Sequence, residues 1–122
     1  MAVPVVDREL QKAFVELQAR VIEAQRQEQQ AEGRMEALSR TAMTCKLTLQ
    51  EISTLPSKTR LFQGVGRMFL LQDREYVLSD LKSERGEAEN CLGQLKRQKE
   101  ELSRRVDEAE KNIREMLAAR HS

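Results

Sequence analysis

Apolar residues recur along the first part of the chain at alternating steps of four and three. The series runs Leu10, Phe14, Leu17, Val21, Ala24, then Ala31, Met35, Leu38, Ala42 and Cys45, and only Glu28 breaks it. A seam kept over about five heptads predicts a helix that pairs lengthwise with another. A second seam runs Leu78, Leu81, Ala88, Leu92, Leu95, Leu102, Val106, Ala109, Ile113 and Met116, with Arg85 and Lys99 in its two weak slots. Gln, Glu, Arg and Lys fill most of the positions between.

The pattern predicts four elements inside a single domain, residues 1–122. Asp7 is placed to cap a first helix over 7–46, with Glu9 in its first turn. Thr48-Leu49-Gln50-Glu51 has the form of a capping box, which predicts a separate short helix over 48–55 ended by Pro56. Residues 59–72 read as a β-hairpin. Thr59 to Gln63 forms one strand, Arg67 to Gln72 the other, and Gly64-Val65-Gly66 the reversal. Met68 to Leu71 lacks polar alternation, so both faces of its strand need cover. Asp73 then caps the last helix, over 73–119. The fold class is mainly α: an antiparallel two-helix coiled coil joined by a short helix and one β-hairpin.

The seams from Leu10 to Cys45 and from Leu81 to Met116 have equal length, so the simplest pairing is within the chain. In that arrangement Glu28 and Lys99 fall within about one layer of each other, and their opposite charges mark the register. The two termini then meet at one tip, and the hairpin stands at the other end. At the tip, Val5, Val6, Leu10 and Phe14 neighbour Ile113, Met116 and Leu117, a set suited to adaptable contact with apolar partners. They could equally just finish the seam. A lone hairpin is marginal in water and has open edges. Leu61, Phe62, Val65, Met68, Phe69, Leu70 and Leu71 therefore call for strands from other subunits. Closure into a β-barrel would remove the edges.

Composition narrows the function. Charged residues make up 34% of the chain and aromatics 3%, with no Trp, too little to fill a thick core. The 21 Lys and Arg balance 20 Asp and Glu and are interspersed, which argues against a nucleic-acid surface. The apolar run Met68 to Leu71 is too short for a membrane span. Met1-Ala2-Val3-Pro4, followed by Asp7, Arg8 and Glu9, is not read as a secretory signal. Cys45 and Cys91 lack metal or redox spacing, and an intracellular, reducing compartment is expected. The single His121 lies in a frayed tail, and no nucleophile has a base beside it. Gly64-Val65-Gly66 lacks the third Gly of a dinucleotide fingerprint, since position 69 is Phe. No enzyme, cofactor or metal is expected.

Helix, capping box, hairpin and helix in this order resemble a β-type prefoldin subunit. The segments that carry the resemblance are Leu10 to Ala19, Glu108 to Leu117 and, most specifically, Gly64-Val65-Gly66-Arg67-Met68-Phe69-Leu70-Leu71-Gln72. The resemblance implies a subunit of a cytosolic, ATP-independent chaperone in which two α-type and four β-type subunits form a double β-barrel with six coiled-coil tentacles. It further implies that the tentacle tips hold unfolded proteins, notably actin and tubulin, and deliver them to the group II chaperonin. On that basis the hairpin residues would join the barrel and the tip residues would touch clients. The competing reading is a coiled-coil scaffold or tether that binds no client.

Overall fold

The structure, a computed structural model, describes the backbone of residues 5–121 and the side chains of residues 7–119. Four elements follow in order: helix α1 (Val5–Thr54), strands β1 (Leu61–Val65) and β2 (Met68–Gln72), and helix α2 (Arg74–His121). The chain divides into two compact units. One holds Met1–Gly33 and Leu95–Ser122, the other Arg34–Gln94.

In the first unit, segments of α1 and α2 pack side by side along the seam. Leu10, Ala24 and Ile113 are buried there, and Val21, Leu102 and Val106 are half-buried. The Lys99 ammonium donates to a Glu32 carboxylate oxygen at 2.6 Å. That bond holds Lys99 protonated to higher pH than an ordinary lysine, and the negative charges of Glu32 and Glu28 act in the same sense. The expectation that Glu28 and Lys99 fall within about one layer agrees with this: Glu32, one turn further along α1, makes the bond, and Glu28 contributes only its charge.

In the second unit the buried seam residues are Cys45, Ile52 and Ala88. The chain break expected near residue 47 is absent, and α1 runs on through the 48–55 segment as far as Thr54. Thr48 does not cap a new helix. Its hydroxyl donates to the Thr44 carbonyl one turn back, at 2.8 Å, a bond that a Thr inside a helix can make. The physical reason is the seam itself. Leu49 is half-buried and Ile52 fully so, and a break at Thr48 would give up that burial. At the other end of α1, Asp7 lies in the first turn rather than at the cap, still near the positive end of the helix dipole.

Pro56 cannot continue α1, because its ring removes a donor and disfavours the helical conformation before it. The last carbonyls of α1 would then lack partners, and its last turn carries no basic residue. Arg74, the first residue of α2, adds side-chain donors at this junction, where the Ile52 and Pro56 carbonyls also accept from Leu55 N–H at 3.1 Å and Thr59 N–H at 3.0 Å. Its guanidinium donates to the carbonyls of Ile52 at 2.7 Å, Leu55 at 3.1 Å and Pro56 at 3.2 Å. Asp73 stands at the N-cap position of α2, where its carbonyl accepts the first bond of the helix, from Val77 N–H at 3.0 Å.

Candidate functional site: an uncovered hairpin and a narrow arm

β1 and β2 pair antiparallel, Leu61 with Gln72, Phe62 with Leu71, Gln63 with Leu70, Gly64 with Phe69 and Val65 with Met68. The loop is two residues long, Gly66-Arg67, instead of the expected Gly64-Val65-Gly66, and both strands extend further towards the turn. Gly66 has φ +61°, and no residue other than Gly has positive φ among the described residues. Positive φ at the first loop position alone is the signature of a type II′ turn, whose twist suits a hairpin. Gly64, by contrast, lies within β1 opposite Phe69.

Alternation sorts the strand side chains into two faces. Phe62, Phe69 and Leu71 share one face with Gly64. Leu61, Val65, Met68 and Leu70 share the other with Gln63 and Gln72. Both faces lie open: Phe69 is 75% exposed, Met68 63% and Leu71 63%. Only Leu61 and Gln72, next to the helices, are half-buried. In a hairpin closed by a two-residue loop, Val65–Met68 is a hydrogen-bonded pair and the pattern then alternates. The outward-facing N–H and C=O groups therefore belong to Phe62 and Gly64 on one edge and to Phe69 and Leu71 on the other. No charged residue or Pro occurs in either strand. The hairpin thus lacks the usual devices that keep an edge strand from pairing.

The sequence also singles out residues of the first unit. Leu10 and Ile113 are buried in the seam: of the two readings the sequence leaves open for them, they finish the seam and do not lie open at a tip. Phe14 is 39% exposed and Met116 43%, and Leu117 is half-buried. The side chains of Val5 and Val6 lie outside the described residues. The small seam residues Ala24 and Ala109, with Ala19, Leu102 and Val106, leave an open groove of about 620 Å³ along this unit, rimmed by Arg20 and Arg105. Sequence reasoning missed Arg74, although the absence of a basic residue in the last turn of α1 is a signal for it. It also passed over Met43 and Leu47, off-seam residues of α1 that are about half exposed.

Among the described residues no group of three or more His, Cys, Asp or Glu is placed to hold a metal ion. No described helix is long and apolar enough to cross a membrane. Cys45 and Cys91 are free thiols. Burial pushes the Cys45 thiol up from its ordinary range, and the Glu84 carboxylate beside it acts the same way.

Residues 15–120 match the family model described as Prefoldin subunit. The chain belongs to the prefoldin family. It is 48% identical to human prefoldin subunit 1, over all of this chain and 99% of that protein. Prefoldin subunit 1 of Arabidopsis thaliana is 30% identical over 91% of the chain and 87% of its own length. Among solved structures, the prefoldin beta subunit from Thermococcus strain KS-1 superposes with a TM-score of 0.73 at 21% identity, covering 93% of this chain and 94% of that one. That likeness shares the arrangement of two long helices around one antiparallel hairpin. Family membership makes the chain a subunit of the prefoldin chaperone, a component that assembles with other prefoldin subunits.

Proposed function

We propose that the hairpin joins this subunit to α- and β-type prefoldin neighbours in a β-barrel, and that exposed apolar residues of the first unit hold unfolded proteins. Clients of this kind include actin and tubulin, which the hexamer passes to the group II chaperonin in the cytoplasm without using ATP. The observation that carries the assembly half is the hairpin: two apolar faces, two open edges and no charge in either strand. Such an element is satisfied by strand addition, which pairs backbone groups and buries side chains together.

Client contact is assigned to Phe14, Met116 and Leu117, together with Val5 and Val6 at the start of α1. Leu10 and Ile113 support that surface from within the seam. Each arm offers little apolar area, so holding depends on several arms acting on one client, weak contacts that sum to useful avidity. The test uses the reassembled hexamer with Phe14→Ser, Met116→Ser and Leu117→Ser combined in this subunit. Light scattering follows aggregation of actin diluted from denaturant. Weaker suppression by the variant hexamer is expected. Equal suppression would remove this subunit's arm from client binding and favour a scaffold role.

A further inference from the structure

The outward side of α1 in the second unit carries an apolar pair that the coiled coil does not use. Met43 and Leu47 stand two residues either side of the buried Cys45. At about 100° per residue both point away from the seam. They are 53% and 52% exposed. Within the second unit the nearby positions on the same side, Glu36, Arg40 and Gln50, are polar. In the first unit Val15 and Ile22 occupy the heptad position of Met43 and are 65% and 67% exposed, so what sets Met43 and Leu47 apart is their place beside the hairpin end of α1. Met and Leu together give a flat, adaptable apolar surface. Leu47 lies about 10 Å along the helix from Thr54, the last residue of α1. The pair thus sits near the end of α1 from which the chain leaves for the hairpin.

Two quantities indicate what covers this pair. Each strand has five residues, and a stable interface uses roughly 20 to 30 residues a side. The hairpin alone is too small, so more of the same unit must take part. In addition, strands closed into a barrel turn only alternate side chains inward. If Phe62, Phe69 and Leu71 line the interior, the face of Val65, Met68 and Leu70 is turned outward and still needs an apolar cover. The chain's own α1 does not provide it, since both surfaces remain open in the single subunit.

We infer, on the reading that the hairpin joins neighbouring subunits, that the Met43–Leu47 surface of α1 is a second assembly contact. Its occupant is the outward hairpin face of an adjacent prefoldin subunit. Each subunit is then held twice, by strand pairing at the hairpin edge and by helix-on-sheet packing at this shoulder. The polar stretch of α1 beyond Arg40 limits the contact to about one helical turn.

The experiment uses the full chain reassembled with its partner subunits. Met43→Gln and Leu47→Gln are combined, because Gln keeps helix propensity and similar length while removing the apolar surface. Incorporation into the hexamer, measured by native mass spectrometry over a dilution series, should weaken about ten-fold, with the helical circular dichroism of the chain unchanged. A photo-crosslinker at position 47 should capture a neighbour's hairpin peptide. Phe69→Ser is the second arm, and it should abolish incorporation. Incorporation of the double Gln variant within about two-fold of wild type, with cross-links outside any hairpin, overturns the shoulder contact while Phe69→Ser leaves the hairpin reading standing. Normal incorporation of Phe69→Ser removes the hairpin reading, and the shoulder contact falls with it.

Discussion

The ring of Phe69 lies over Gly64, its cross-strand partner: a β-carbon at position 64 would stand 3.7 Å from Phe69 Cε1, an ordinary van der Waals contact. Position 64 therefore has room for a methyl group. Position 66 has room too, with nothing within 4 Å, but its backbone sits at φ +61°. Two glycines two residues apart should thus respond in opposite ways. Gly64→Ala is expected to be neutral or slightly stabilising, since Gly weakens a strand interior. Gly66→Ala is expected to cost about 1 to 2 kcal/mol, the penalty of the left-handed region for a residue with a β-carbon. Chemical denaturation of the two variants measures the difference.

Arg74 ties the start of α2 to the end of α1 through three carbonyl oxygens. Arg74→Ala should destabilise the second unit by about 1 to 2 kcal/mol, since it removes three hydrogen bonds from a charged donor across the junction. Arg74→Lys should recover only part of that loss, because an ammonium lacks the planar fork that reaches several acceptors. Hydrogen exchange would localise the effect to the amides around Ile52 and Val77.

The two free cysteines should differ in reactivity. Cys45 is 3% exposed and Cys91 is half-buried. Iodoacetamide near pH 8 should alkylate Cys91 first and reach Cys45 only on unfolding, which mass spectrometry of timed digests resolves. The same burial links Cys45 to alkaline stability. Its folded value is raised, so the thiol's contribution is fully present below the unfolded value and is lost as pH rises through the folded one. Cys45→Ala should flatten the decline in stability on the alkaline side.

Lys99 and Glu32 form an exposed ion pair, so the effect on stability is small and depends on salt. Lys99→Glu should lower the melting temperature at low ionic strength by placing like charges beside Glu32 and Glu28. Adding Glu32→Lys should recover most of the loss. Both differences should shrink at about 1 M salt, where screening reaches only about 3 Å. A recovery that persists there would mean the pair acts through packing and not through charge.

The heptad seams and the run from Gly64 to Gln72 determined, without further information, two long paired helices around one hairpin. These signals are periodic or strongly local, and burial along a narrow stripe leaves the chain few alternatives. The tertiary structure decided what depends on competition between local and longer-range terms. Thr48 has the local signature of a helix start, yet burial of Ile52 carries α1 through it. Glu28 marks the register only to within a turn, because side-chain reach, not seam spacing, chose Glu32 for Lys99. Leu10 and Ile113 could be open tip residues or the end of the seam in sequence, and packing across the seam buries them. Arg74 acts at residues 52, 55 and 56, and only the fold brings those carbonyls within its reach.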